Sequence, residues 1–171
     1  MDFVERVQRT QFLGVEFLTW LWYQEESNDG VFQLGGELGE IEVWFEDKLT
    51  MGSTAIDEQQ DVFKGGRPST SPEARSALKL GKMAQNARLR IIQGEQEWQF
   101  TLKAEPLCMN AIKLPEVLAK EPNAHFFERM FLLEHLDRLF KALYQSFLEV
   151  RLSSEWTQTI LPDLQTWVAQ R

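Results

Sequence analysis

Two glutamates in the acidic stretch between positions 37 and 47 are the first candidates for chemistry. Glu40 and Glu42 are two residues apart, so on a β-strand they would share one face, where two carboxylates can bind a hard cation. A metal-dependent nuclease would also need a third ligand and a lysine, and Lys48 is close in sequence. Strand alternation that turns polar side chains to water explains the same spacing, so the nuclease is the weaker hypothesis.

Nucleophilic catalysis has little support in the sequence. The chain contains no nucleophile elbow, phosphate-binding loop or dinucleotide-binding fingerprint. Its only cysteine, Cys108, would need a base, and the only histidines are His125 and His135, both expected at exposed helical positions. We therefore predict no catalytic residue, no metal site, no cofactor and no enzymatic activity.

Positive charge is concentrated in the middle of an acidic chain. The net charge is −8, but residues 1–63 hold 3 Lys/Arg against 14 Asp/Glu, whereas residues 64–103 hold 8 against 3. An anionic chain repels phosphate at long range, yet a basic island acts locally within a Debye length of about 8–10 Å. The alternative is that the island is a solvated face that keeps the protein soluble.

Hydrophobic periodicity predicts which elements carry these residues. Helices are predicted over residues 2–25, 71–80 and 126–152, with a last helix from Ser153/Ser154. Strands are predicted over 31–34, 40–45, 48–51, 61–64, 87–92, 97–104 and 109–114, with Glu46-Asp47 as a hairpin turn. The order predicts one α+β domain over 1–171, in which an antiparallel sheet packs against a long N-terminal helix and C-terminal helices.

The basic segment falls on the two strands of a predicted hairpin. Alternation places Leu89 and Ile91 on one face of the first strand and Arg88 and Arg90 on the other. In the second strand Trp98, Phe100 and Leu102 share the apolar face. The arginines are therefore expected to point away from the core.

Three rings in the first helix cannot all face one side. Trp20, Trp22 and Tyr23 lie within four positions, so at least one ring must point away from the local core. We expect it to pack elsewhere in the fold or on a partner chain. No run approaches the roughly 18 apolar residues of a membrane span, and Asp2 and Glu5 argue against a signal peptide. A cytoplasmic protein without a membrane partner is expected.

An ordered series of segments resembles the C-terminal half of the recombination-associated protein RdgC family. The segments are Phe17–Trp22 (FLTWLW), Ile41–Leu49 (IEVWFEDKL), Ala77–Leu80 with Gly81-Lys82, Ala87–Arg90, Glu97–Leu102, Ala111–Leu114 and the closing long helix. The most distinctive part is the helix that ends in Gly81-Lys82 and leads into a two-stranded hairpin.

The resemblance implies a non-enzymatic bacterial DNA-binding protein, associated with the nucleoid. Such proteins form a dimeric ring around duplex DNA and restrain RecA-driven strand exchange, and their binding is expected to be sequence-independent. Charge count and resemblance together select the candidate DNA-binding residues, which are Lys79, Lys82, Arg88, Arg90 and Lys103, with Lys64 and Arg67 as flanking contributors.

The resemblance also raises the question of partners. Members of the family have an N-terminal half that this sequence lacks, so we expect a separately encoded N-terminal-half subunit or a homodimer. The alternative function is a protein-interaction subunit that docks through its acidic half or its aromatic helix and does not touch DNA.

Overall fold

The computed structural model contains an antiparallel sheet and helices. It describes the backbone of residues 3–52 and 60–170, and the side chains of residues 13–52, 60–68 and 70–170. The helices are α1 (Phe3–Ser27), α2 (Pro72–Lys79), α3 (Pro122–Leu152) and α4 (Leu161–Gln170). The strands are β1 (Val31–Leu34), β2 (Gly39–Gly52), β3 (Asp61–Lys64), β4 (Met83–Gln93), β5 (Gln96–Lys103) and β6 (Cys108–Lys113). The predicted α+β class with an antiparallel sheet is confirmed.

The strands pair in the order β1-β2-β4-β5-β6, and β3 pairs with β2 on the edge that β1 also uses. Between these two pairings no strand of the described residues lies beside the edge of β2. Val43 N donates to Gly30 O at 2.8 Å there, and Gly65 N donates to Asp47 O at 2.9 Å. The gap also receives the carboxylate of Glu25 from the end of α1.

The prediction of a hairpin turn at Glu46-Asp47 is wrong. β2 runs through these residues as one strand, and its pairing with β4 shifts register between Phe45 and Leu49. A bulge of this kind takes up extra residues without reversing the chain. Lys48 therefore lies in the same strand as Glu42.

The hairpin of β4 and β5 has the predicted faces. Leu89, Ile91 and Trp98 are almost completely buried, whereas Arg88 and Arg90 are only partly buried. Gln93 pairs with Gln96 across a two-residue turn, in which Gly94 has φ +58°, a value that favours glycine. β4 begins four residues earlier than predicted.

The described aromatic side chains of helix α1 pack within the chain. Trp20 contacts Phe32 and Phe147, whereas Trp22 contacts Phe45 and Trp167, so the two indoles bury opposite sides of the helix. The expectation of packing within the fold is met. The predicted long N-terminal helix corresponds to α1, Phe3–Ser27, whose side chains are described over residues 13–27, about four turns.

Helix α2 begins and ends as its sequence predicts. The Ser71 hydroxyl accepts a hydrogen bond from Ala74 N, and Pro72 occupies the first turn. At the other end Gly81 has φ +80° and Lys82 N donates to Ala77 O. This pattern is a Schellman motif, in which the glycine lets the chain leave the helix and enter β4.

Helix α3 begins at Pro122, before the predicted Phe126. Trp98 Nε1 donates to Leu132 O at 3.1 Å and so fixes α3 on the sheet. The helix ends at Leu152. Helical residues resume at Ser154, where the last helix was predicted to begin, and pass through a π-helical turn over Trp156–Ile160 into α4. None of the described helices has the length and apolar character needed to cross a bilayer.

Candidate nucleic-acid interface

One face of the sheet packs on helices, and the opposite face carries polar and charged side chains. Because Leu89 and Ile91 are buried on the helix side of β4, Arg88 projects from the other side. We call this second surface the open face. Arg88 lies opposite Thr101 of β5, and Thr101 lies opposite Asn110 of β6, so one row of polar side chains crosses three strands.

A cavity of about 220 Å³ lies in the open face, lined by β2, β4, β5 and β6. Three of its lining residues are cations, Lys48, Arg88 and Lys103, one from each of the first three strands. The others are Thr50, Asn86, Ala87, Thr101 and Asn110. Strands lie about 4.8 Å apart, so the lining spans about 14 Å. We call this recess the open-face cavity.

The three cations of the open-face cavity lack carboxylate partners in the described parts of the chain. No described carboxylate lines the cavity or pairs with Lys48, Arg88 or Lys103. Arg88 Nη2 donates to Gln99 Oε1 at 3.3 Å, which leaves most guanidinium N–H groups available. Phosphate oxygens accept hydrogen bonds from arginine, lysine, hydroxyl and amide groups, and this recess presents all four.

Arg90 lies on the same face but is neutralised. Its Nε is 2.7 Å from Glu46 Oε1, and its Nη1 is 3.6 Å from Glu97 Oε2. Strand pairing places both glutamates beside the guanidinium, which the charge count along the sequence could not show. Arg90 was predicted to contact DNA, and its pairing with these carboxylates makes it a weaker candidate than Arg88.

Lys82 is also paired, and Lys79 lies outside the sheet. Lys82 Nζ is 2.6 Å from Asp61 Oδ2, and its backbone amide closes α2, so both parts of the residue have structural partners. Lys79 is exposed in the last turn of α2. Of the five principal candidates, only Arg88 and Lys103 meet in the open-face cavity.

The two flanking candidates lie at different places. Lys64 is opposite Lys48 in the pairing of β3 with β2, so it extends the positive surface toward the sheet edge. The Arg67 guanidinium carbon is 4.7 Å from the centroid of the Trp44 ring, a cation–π contact. Arg67 is exposed, and its indole contact lies on the part of β2 that carries Glu42 and Glu46.

Lys48 is the member of the open-face cavity that sequence reasoning missed as a DNA contact. It belongs to the acidic first third of the sequence, and the predicted turn at Glu46-Asp47 separated it from the preceding strand. A continuous strand through these residues would have placed Lys48 beside the basic strand β4. Thr50 and Asn86, which pair across β2 and β4, carried no charge signal at all.

Glu25 fills the gap on the edge of β2. Its side chain is buried, Oε1 accepts a hydrogen bond from Phe45 N at 3.2 Å, and Oε2 has no hydrogen-bond partner among the described residues. Burial raises the pKa of Glu25 to about 7; the Phe45 amide and Arg67 lower it, while Glu26 and Glu46 raise it. A carboxyl of this kind changes charge near neutral pH.

The candidate catalytic groups do not form a reactive site in the described residues. Glu40 accepts a hydrogen bond from Gln33 and Glu42 accepts one from Trp44 Nε1, and no three potential metal ligands come together there. Within the same residues the Cys108 thiol accepts a bond from Asn110 and has no histidine contact.

Comparison with known proteins leaves the family open. The chain matches no protein-family model, and no curated protein sequence matches it. The resemblance to the RdgC family therefore stays a prediction, and the functional reasoning rests on the geometry of the open face.

Proposed function

We propose that the protein is a non-enzymatic module that binds double-stranded DNA through the phosphate backbone, without sequence preference. The observation that carries this proposal is the open-face cavity, in which three cations lack described carboxylate partners and share one recess with hydroxyl and amide groups. Backbone contacts of this kind hold a duplex in place and do not read its bases.

The open face also limits where DNA can bind. Glu42, Glu46 and Glu97 lie toward the other end of the same strands, and only part of their charge is balanced by Arg90. Carboxylates repel phosphate, so the contact is confined to the half of the face around the open-face cavity, with Lys64 at its margin. The resulting footprint is small.

A small footprint implies weak binding by one copy. Three phosphate contacts give a slope of about −2.7 for log K against log salt, so affinity falls about 40-fold between 50 and 200 mM salt. A second subunit that adds its own contacts would raise the affinity through effective concentration. The protein therefore acts with a partner, either a homodimer mate or a separate N-terminal-half subunit. The resemblance to the RdgC family supports a link to the control of homologous recombination.

Fluorescence anisotropy with a labelled duplex at 50 mM salt tests this function. The triple variant K48Q/R88Q/K103Q removes the cavity charges, whereas R129Q/R138Q/K141Q removes the same charge from exposed positions of α3. We expect the first variant to bind at least tenfold more weakly, since each neutralised phosphate contributes to the affinity, and the second to bind nearly as the wild type does. Equal losses of affinity in both variants, or no binding by the wild type at tens of micromolar, would contradict the proposal.

A second candidate function is protein docking, because α3 exposes an aromatic patch. We define the aromatic patch as Phe126, Phe127, Met130 and Phe131. The three phenylalanines, Phe126, Phe127 and Phe131, are 58%, 69% and 60% exposed. Several large apolar side chains exposed together typically mark an interaction site. The preceding segment is held against the helix, since Glu128 accepts hydrogen bonds from the amides of Leu118 and Ala119.

Docking and DNA binding make different predictions for this patch. The variant F127S/F131S should abolish any concentration-dependent self-association seen by sedimentation equilibrium, because it replaces two exposed phenyl groups with hydroxyls. If docking is the sole function, wild-type protein shows no anisotropy change with DNA. If DNA binding is the function, F127S/F131S retains the single-copy affinity for duplex.

A further inference from the structure

We propose that the open-face cavity receives a phosphomonoester dianion, and that its source is the 5′-terminal phosphate of a DNA strand. This inference rests on the proposed function, because it concerns the same cavity. It goes further by naming the chemical group inside the recess, as distinct from the phosphodiesters that contact the surrounding face.

Charge matching favours a monoester over a diester. Lys48, Arg88 and Lys103 place three positive charges around one recess without a described carboxylate. An internal phosphodiester carries one negative charge, whereas a terminal monoester approaches two at pH 7, since its second pKa is about 6. The dianion therefore balances more of the local positive charge.

The donor set also suits a terminal phosphate. A monoester presents three terminal oxygens and a diester presents two. The cavity offers cationic N–H groups from β2, β4 and β5, and the paired Thr101 and Asn110 add a hydroxyl and an amide from β5 and β6. Thr50 is only 6% exposed and lies within the lining, so the recess reaches below the surface of the sheet.

The size of the cavity suits a single phosphate group and not a drug-sized ligand. About 220 Å³ is below the roughly 300–1,000 Å³ of pockets that enclose drug-sized molecules. A strand end can insert its phosphate because only one side of that phosphate continues into a sugar. An internal phosphate is flanked by sugars on both sides and meets the rim instead.

The test uses two DNA hairpins of identical sequence, one with a 5′-phosphate and one with a 5′-hydroxyl, in competition for the wild-type protein. We expect roughly a tenfold preference for the phosphorylated hairpin, as befits charge-assisted hydrogen bonds. R88Q should reduce the preference to nearly unity, whereas K141Q, a lysine on α3 paired with Asp137, should leave it intact. Circular dichroism verifies the fold of both variants.

The same competition can be measured as a function of pH, which requires no variant protein. Between pH 7.5 and 5.5 the monoester takes up a proton and becomes a monoanion, so the preference should shrink, while binding of the hydroxyl hairpin reports any change in the protein itself. Deoxyadenosine 5′-monophosphate and inorganic phosphate serve as competitors. If either competes as well as the phosphorylated hairpin, the phosphomonoester site stands and its source is a free phosphate compound.

The outcomes separate the inference from the proposed function. Equal binding of the two hairpins, with the salt dependence retained, would overturn the phosphomonoester site and leave DNA binding in place. Failure of both hairpins to bind would overturn both. If R88Q leaves the preference for the phosphorylated hairpin unchanged, the phosphate does not bind in the open-face cavity.

Discussion

Replacing Glu25 with glutamine should stabilise the protein at neutral and alkaline pH. The carboxyl is buried at the edge of β2, where one oxygen accepts a hydrogen bond from the Phe45 amide and the other has no partner in the part of the chain that the structure describes. Glutamine keeps an acceptor for that amide and has no charge. The variant therefore removes the cost of a buried anion without removing the side chain that fills the gap.

The magnitude follows from the pKa. Burial raises the pKa of Glu25 from 4.5 to about 7, and each pKa unit corresponds to 1.36 kcal/mol, so ionising this group costs the folded state about 3 kcal/mol. Because the pKa of Glu25 is higher in the folded state than in the unfolded state, the stability that the protonated carboxyl contributes is fully present below pH 4.5. It is lost progressively as the pH rises toward 7 and stays lost above it.

Urea unfolding at intervals from pH 4.5 to 8.5 measures this difference. Wild type and E25Q should be nearly equal at pH 4.5, and E25Q should gain about 3 kcal/mol by pH 8, or about 6–12 °C in Tm. E95Q serves as control, since Glu95 is an exposed residue of the β4–β5 turn. Parallel curves for wild type and E25Q across the range would refute the burial argument.

Two core positions give further predictions. A Cβ at Gly14 would lie 2.1 Å from Ala104 O, so G14A should lower the free energy of unfolding by about 1–3 kcal/mol, although alanine favours helices; an increase in the urea midpoint would contradict this close approach. W98F removes the indole that donates to Leu132 O and should cost about 2–4 kcal/mol; a change below 1 kcal/mol by thermal unfolding would show that this bond does not hold α3.

Local patterns in the sequence were sufficient to predict the fold class and the faces of the basic hairpin. Strict alternation around Leu89 identified the buried side of β4, and the Ser71-Pro72 pair identified the start of α2, because each signal depends only on neighbouring residues. The bulge in β2 left no such signal. Polar Glu46-Asp47 in the middle of a strand has the composition of a turn, and only pairing with β4 keeps the strand continuous.

The candidate site was harder to predict because charge pairing depends on tertiary structure. Arg88 and Arg90 are two residues apart on one face, yet Arg90 has two glutamate partners and Arg88 has none among the described residues. Lys82 is neutralised by Asp61 from a strand 21 positions earlier. Lys48 belongs to the acidic part of the sequence, and the pairing of β2 with β4 brings it to the site.

The most direct test is the salt dependence of duplex binding by wild type and by K48Q/R88Q/K103Q. If Lys48, Arg88 and Lys103 neutralise DNA phosphates in and around the open-face cavity, the slope of log K against log salt should fall in magnitude by about 2.7, or about 0.9 for each phosphate that the variant no longer neutralises. The double variant K82Q/R90Q, which removes paired cations, should keep the wild-type slope. An unchanged slope in the triple variant, or a larger decrease in K82Q/R90Q, would contradict the assignment of DNA binding to this cavity.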